Sequence, residues 1–222
     1  VSGTPAVYVR TLNLSSGGVG DTRLRANDTE VRIGNAAIRS GTFAKTLILD
    51  GDTHANTITG EVANGLAALS LQKEGPGTWT LAGSNTYTGA TLVNGGSLVF
   101  AGTASSSSSV SLAGGRLVLT NTVAASDYAA ALGAVVAAGP ATLVPVTAES
   151  GHTASAALAS LTANEGAALD VAGELAAGGS DRSRVFVATQ PDGYVGPWIT
   201  LNGSGPVMYS AALGLHLGTG FV

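Results

Sequence analysis

Short apolar runs recur along the chain, each closed by Gly, Asn or Asp. The first 122 residues hold "AVYVRTLNL", "TEVRIG", "KTLILDGD", "NTITGEV", "ALSLQK", "GTWTLAG", "ATLVNGG", "SLVFAG", "SVSLAGG" and "RLVLTN". Within each run the apolar positions alternate with period two, which reads as a strand. Runs this short and this closely spaced suit a sandwich, a barrel or a solenoid of stacked coils. Two features favour the solenoid. Val, Ile and Leu return at similar intervals between small polar turns, and clear two-residue hairpins with matched flanks are lacking. "NGG" at 94–96 is the best hairpin candidate, and it reads equally well as a tight corner between two faces of a coil.

The character shifts from about residue 124 to 165. "SDYAAALGAVVAA" (126–138) predicts a short helix with Ser126 as N-cap and Asp127 in its first turn, with an Ala-rich strand as the rival. "PATLVPV" after it is extended. "LTANEGAALDVAG", "SRVFVATQ", "PWITLNG" and "LGLHLG" return to strands. Two segments follow: 1–123 as a β-rich unit, and 124–222 as its continuation or a second β-rich module. The low-complexity stretch "ASSSSS" at 104–109 reads as a polar turn or a solvated strand edge.

Composition narrows the class. Only 11% of the 222 residues are charged and 32 are glycine, against about 25% charged and about 7% glycine in an ordinary domain. With 45% hydrophobic residues the chain is no disordered polymer. The net charge is −4, and the basic residues form only pairs such as Arg23/Arg25 and Arg182/Arg184. Nucleic acid and anionic membrane are therefore not expected partners. The absence of cysteine excludes a disulfide framework, zinc–thiolate sites and cysteine catalysis. It also suits a chain that crosses a membrane unfolded. The uncharged stretch Tyr128 to Ala148 is long enough to span a bilayer, but Gly133, Gly139, Pro140 and Pro145 interrupt it, so no membrane span is expected. "VSGTPAVYVRTLNL" has no basic end and no apolar block. Targeting parts, and a cap for either end of the stack, are accordingly expected elsewhere in a longer protein.

The stretch 71–100, "LQKEGPGTWTLAGSNTYTGATLVNGGSLVF", carries the most specific pattern. Taken by twos it reads Leu71, Lys73, Gly75, Gly77, Trp79, Leu81, Gly83, Asn85, Tyr87, Gly89, Thr91, Val93; after "NGG" the parity flips to Gly96, Leu98, Phe100. Such a flip is expected where a corner inserts a residue. The large residues Trp79, Leu81, Tyr87 and Val93 share one face, and the glycines let the backbone turn or approach a neighbour. This ladder resembles the passenger-associated transport repeat, also called the autotransporter-associated β-strand repeat, whose pattern it fills position by position over about 30 residues. The preceding "LILDGDTHANTITGEVANG" resembles a segment that often precedes the repeat. "GYVGPWITLNGSGPVMYSAALGLHLG" is similar to a glycine–tryptophan–asparagine-glycine block of long bacterial surface proteins. The resemblance implies a right-handed parallel β-helix, extracellular or at the cell surface, in an exported bacterial protein. It stops short of an entire autotransporter, because the sequence shows no closing set of amphipathic barrel strands. With ~20 to 25 residues per coil and ~4.8 Å per layer, the chain makes about ten coils and a rod near 50 Å.

Candidate chemistry is sparse. Catalysis on a β-helix needs converging carboxylates, and the acidic residues are scattered. Asp50, Asp52 and Glu61 lie around His54, with Asn56 near, and "DGD" is a conceivable calcium turn. A polar turn is the simpler reading, since two carboxylates make too small an oxygen cage. Glu149, His152 and Asp170 form a looser set, and His54, His152 and His216 lack metal-ligand spacing. His216, between Leu215 and Leu217, is expected to face solvent. No Gly-x-Ser-x-Gly elbow, phosphate loop or dinucleotide fingerprint is present. No catalytic residue, cofactor or metal is expected. Lys73 is expected to tie its ammonium to a carbonyl or carboxylate at a coil corner. Trp79 and Tyr87 are expected in the core rather than on a sugar-binding face. The leading expectation is a structural segment, a rigid stalk or fibre. Its partners would be neighbouring repeats of the same long chain or head-to-tail copies of itself. An adhesin-type module for glycan or matrix is the first alternative, and a polysaccharide-cleaving enzyme the second.

Overall fold

The computed structural model describes the chain apart from residues 1–5, 16–19, 41, 105–108, 122–125, 148–151, 174–182 and 219–222. Among the described residues every regular element is a strand. Two parallel sheets run the length of the stack. The first orders Ala6–Ser15, Glu30–Ser40, Asn56–Ile58, Thr78–Leu81, Ser97–Phe100, Arg116–Leu119, Pro140–Pro145, Ala168–Val171 and Ile199–Leu201, with Val62–Gly65 also paired to Glu30–Ser40. The second orders Thr22–Ala26, Lys45–Gly51, Leu69–Lys73, Thr91–Val93, Val110–Leu112, Tyr128–Ala137, Ala154–Ala163 and Ser183–Val187. Apart from Asn56–Ile58 and Val62–Gly65, which both lie on Glu30–Ser40, successive strands of the two sheets alternate between them, and each lies parallel on the strand one turn earlier. The fold is a β-solenoid; sandwich and barrel are set aside by the parallel pairing. At ~4.8 Å per layer the nine-deep sheet spans about 38 Å, shorter than ten coils would give.

The turns are unequal. Ser97 lies opposite Thr78 and Arg116 opposite Ser97, a period of 19 residues. In the second sheet Thr91 lies opposite Leu71 and Val110 opposite Thr91, periods of 20 and 19. Before this region the period is 23 to 27 residues, as for Asn56 and Trp79, Ala6 and Glu30, or Ala36 and Val62. After it the period grows from 25 to 30, ending at Leu169 and Ile199.

One interior is shared by both sheets. Leu47, Leu49, Leu71, Val93, Val110 and Leu112 enter from the second sheet and Ile58, Trp79, Leu81, Leu98, Phe100, Leu117 and Leu119 from the first, all in a single buried cluster. Each such aliphatic or aromatic side chain stabilises the fold by about 1.5–3 kcal/mol relative to exposure. Alternation does the rest: in Ser97–Phe100 only Leu98 and Phe100 are buried. A one-residue slip would turn them to solvent, so register is strongly specified.

The "NGG" segment is a corner, joining Thr91–Val93 of one sheet to Ser97–Phe100 of the other. Gly96 has φ +59°, and a β-carbon there would lie 2.3 Å from the carbonyl oxygen of Gly77 one turn below. Gly115 repeats this one turn above, with φ +69° and 2.6 Å to the oxygen of Gly96. The chain leaving each corner hydrogen-bonds to the one below it: Ser97 N–H to Gly77 O (3.1 Å) and Arg116 N–H to Gly96 O (2.8 Å). Corners this close cannot carry a side chain, and glycine also tolerates the left-handed backbone.

The expected helix near 126–138 does not form. Tyr128–Ala137 is a strand, paired along nearly its whole length with Ala154–Ala163 and at its end with Val110–Leu112. Ala130, Leu132, Val135 and Ala137 turn inward. Alanine favours a helix in isolation, but so short a helix is marginal in water. A strand here gains a hydrogen-bonded neighbour on each side and buries its alternate residues, so tertiary context overrides propensity. The two sheets continue across residues 116–145 through these pairs. Most of the serine run, 105–108, lies outside the described residues, as does Arg182.

The stack also carries an end piece that the sequence pattern was not expected to supply. Gly193–Tyr194, Val207–Ser210 and Gly214–Leu217 form a small antiparallel sheet. Val207, Tyr209 and Leu215 join the buried cluster. The Val187 amide donates to the Tyr209 hydroxyl at 3.3 Å, so this sheet lies against Ser183–Val187, the last strand of the second sheet.

Candidate functional site

The residues of the ladder sit at consecutive places around one and a half turns. Leu71 and Lys73 end a strand of the second sheet, and Gly75 and Gly77 make the turn out of it. Trp79 and Leu81 lie in the first sheet. Gly83, Asn85, Tyr87 and Gly89 occupy the extended connection back. Thr91 and Val93 re-enter the second sheet, Gly96 is the corner, and Leu98 is again in the first sheet. Leu71, Lys73, Trp79, Leu81, Asn85, Tyr87, Thr91, Val93 and Leu98 are all buried. Trp79 and Tyr87 are fully enclosed, so neither offers a face to a ligand.

Lys73 is the unusual member, a lysine with no exposed surface. Period two carries it inward at the end of Leu69–Lys73, and its ammonium stops at the corner rather than in the apolar interior. There it donates to the carbonyls of Glu74, Gly75 (2.9 Å) and Gly95 (3.2 Å). Three donors meet three acceptors, two on its own turn and one on the next. Burial pushes the ammonium down to about 8, against the pull of the Asp50 and Glu74 carboxylates. An isolated buried charge would be far more costly; hydrogen bonding to carbonyls is what makes this one tolerable.

The polar contacts continue down the corner. Trp79 donates its indole N–H to Asp50 O at 3.0 Å. The Asp50 carboxylate accepts from Arg23 (2.7 Å), from Arg25 (2.9 Å) and from the Gly51 amide (2.7 Å). Burial alone would raise the Asp50 carboxyl, but the Gly51 amide and the two guanidinium groups outweigh it and hold it below the usual range. Arg23 also reaches Glu74 at 2.5 Å, and Gln72 donates to the same carboxylate. Arg23 and Arg25, Asp50, Lys73 and Glu74, and Gly95 belong to four successive turns of the second-sheet side. Buried polar groups elsewhere are similarly local. Asn56 accepts from the Val31 amide and the Thr53 hydroxyl and donates to Thr53 O and Thr78 O. The Tyr87 hydroxyl meets the Thr91 hydroxyl at 2.6 Å. Asn85 donates to Gly83 O and Thr103 O, while its own carbonyl oxygen is buried without a partner.

The carboxylate sets do not converge. Asp50 belongs to the corner, Asp52 accepts from the Asp28 amide at 3.4 Å, and Glu61 accepts from Thr86 at 2.6 Å. His152 pairs with Asp127 at 3.5 Å, whereas Asp170 accepts from Thr200 and Gly203; Glu149 lies outside the described residues. Among the described residues no three histidine or acidic side chains are placed to hold a metal ion, and no helix is long and apolar enough to cross a membrane. His216 is half-buried, with Nδ1 3.0 Å from Gly214 O.

The arginine share of the corner was missed in the sequence. Its signal is the coil offset: Arg25 stands opposite Asp50, and Leu49 opposite Lys73. That offset becomes visible only once the turn length is known.

Residues 71–100 match the family model of the passenger-associated-transport-repeat. No curated protein and no solved structure matches the chain. The repeat lies inside a β-solenoid, and the two together fit a passenger-type structural segment. The repeat family implies an exported bacterial protein.

Proposed function

We propose that this chain is a rigid β-solenoid segment of an exported bacterial surface or secreted protein, a stalk or fibre element with a non-catalytic role. The supporting observation is the corner at Lys73, where one ammonium and a chain of ion pairs fasten four successive turns. A stalk must resist pulling turn from turn, and a polar fastening at a corner adds directional bonds to a non-directional core. Its acidic side chains serve the same end: Asp50, Glu61, Asp127 and Asp170 each hold a bond to a neighbouring turn. Extracellular placement follows from this reading, with adjoining repeats as the natural partners.

The test is to pull the chain by its two ends in a single-molecule force experiment. A stalk releases successive turns of 19 to 30 residues, each lengthening the chain by about 65–105 Å at ~3.5 Å per residue, and the turns around Lys73 yield last. A chain that lengthens smoothly at low force, without turn-sized steps, overturns the proposal.

A further inference from the structure

We propose that the outer face of the first sheet carries a binding site for a neutral sugar unit, formed by Trp198, Ala168, Pro140, Asp170 and Thr142. The site follows from register. Outward positions of Pro140–Pro145, Ala168–Val171 and Ile199–Leu201 align in two rows along the stack. Pro140 and Ala168 are paired, and Trp198 continues that row beside Leu169, whose amide donates to Trp198 O at 2.8 Å. Arg116, Thr142, Asp170 and Thr200 form the second row. Ala168 is small and exposed between a proline and an indole, so the face dips there. The dip has a volume of about 380 Å³, within the ~300–1,000 Å³ usual for small-ligand sites.

The indole is fixed. Trp198 is half-buried and packed on the core. A β-carbon on Gly196 would come within 2.5 Å of its Nε1, so only glycine at 196 lets the ring lie where it does. Asp170 is fixed too: Oδ1 accepts from the Thr200 hydroxyl at 2.7 Å and from the Gly203 amide at 2.8 Å. Its Oδ2 carries no hydrogen bond from the described residues and is available to a ligand donor. Thr142 adds a hydroxyl that both donates and accepts.

A preorganised aromatic wall beside a carboxylate and a hydroxyl matches a pyranose. The ring's C–H face is apolar and suits the indole, while adjacent hydroxyls donate to a carboxylate and exchange bonds with threonine. Charge narrows the ligand. No basic side chain lines the dip and one carboxylate does, which disfavours acidic sugars and phosphate. A cationic peptide would also meet an indole and a carboxylate, but exposed Arg116 stands in the same row two layers from Asp170, about 10 Å away, and opposes it. The site lies apart from the Lys73 corner that carries the stalk reading; of the acidic side chains cited for that reading it uses only Asp170, whose Oδ1 holds Thr200 of the next turn.

The test uses the full 222-residue chain on an array of neutral cello-, chito-, malto- and galacto-oligosaccharides, with sialylated glycans and octalysine as comparisons. Hits are followed by calorimetry. The expected result is binding to a neutral series only. Asp170→Asn weakens it about tenfold, the worth of a hydrogen bond to a charged group. Trp198→Ala abolishes it. Should Trp198→Ala unfold the end of the stack, Ala168→Arg tests the same site: it fills the dip from an exposed position, and it abolishes binding with the circular dichroism and melting temperature of the parent. Absence of binding to every neutral series, binding unchanged in Ala168→Arg, or a response to octalysine or sialylated glycans alone overturns the proposal.

Discussion

The buried lysine makes stability depend on alkaline pH in a direction opposite to ordinary expectation. An unfolded lysine loses its proton near 10.4, while Lys73 in the fold does so at about 8. Below pH 8 both states hold the proton and stability is flat. Between pH 8 and about 10.4 the unfolded chain binds more protons than the folded one, so unfolding free energy rises with pH. At 1.36 kcal/mol per unit the whole rise is about 3 kcal/mol. Tyr128 sets the upper limit of the window. Burial pushes its hydroxyl up to about 12, so above about pH 10 the folded state holds the extra proton and stability declines. Urea unfolding followed by circular dichroism at pH 7, 8, 9 and 10 reads the effect as a rising midpoint. Lys73→Met removes the pH dependence. It also leaves three buried carbonyls without their donor, at about 1–3 kcal/mol each, against about 3 kcal/mol regained by no longer burying a charge. The variant is therefore a few kcal/mol less stable at pH 7 and falls further behind the parent at pH 10, because only the parent gains stability over that range. A parent profile that is flat or falling from pH 8 to 10 refutes the reasoning: it would mean that the three carbonyls solvate the ammonium as well as water does. An identical rise in Lys73→Met would assign the effect to another group.

Three further outcomes are expected. Gly77→Val and Gly89→Val place a β-carbon 2.5 Å from Thr53 O and 2.5 Å from Leu69 O; both lose protease resistance, and in an exporting host both lower the secreted yield, so normal yield with parental resistance would sink the close-approach argument. Asp50→Asn removes the acid limb of stability. The Asp50 carboxyl is held low in the fold, so its contribution is present above about pH 4 and lost as pH falls through the folded value; guanidinium titrations at pH 3 and 6 should show a smaller difference in the variant. Tyr209→Phe deletes the acceptor of the Val187 amide and lowers stability by about 1 kcal/mol, measured as a shift in melting temperature.

Much of the core was legible because period two is a local property. Trp79, Leu81, Tyr87 and Val93 could be assigned to one face from the sequence, and all are buried. The corner at 94–96 was legible as one of two readings, since "NGG" serves a hairpin or a solenoid equally. Register chose between them through a partner 19 residues away. The Ala-rich strand misled for the opposite reason: its local preference is helical, and only the waiting edge of Val110–Leu112 and the following strand Ala154–Ala163 make it extended. The ion pairs of the corner and the rows around Trp198 depend on which residues lie one turn apart. With periods running from 19 to 30, no fixed repeat in the sequence announces them.

The unequal turns carry an argument about where order begins. A solenoid turn has two strands and two connections, and residues beyond the minimum lengthen the connections. The region from Leu71 to Leu119 holds the shortest turns. Its sequence repeats itself at that interval: "TLVNGGSLVF" at 91–100 and "VSLAGGRLVL" at 110–119 align residue for residue through the corner. Short closures cost less chain entropy than long ones, and contacts nearer in sequence form faster. These turns therefore nucleate, and the longer ones on either side add to edges already in place. The buried lysine lies at the lower boundary of this region, where its ammonium joins the turn of Gly75 to that of Gly95. Hydrogen exchange gives the comparison. Amides of Leu98, Val99 and Leu117 should protect earliest in a pulsed refolding experiment and exchange slowest at equilibrium, ahead of Leu169 and Leu201. Earlier protection at Leu169 and Leu201 would show that turn length does not set the order of assembly, and that the end sheet around Tyr209 is the nucleus instead.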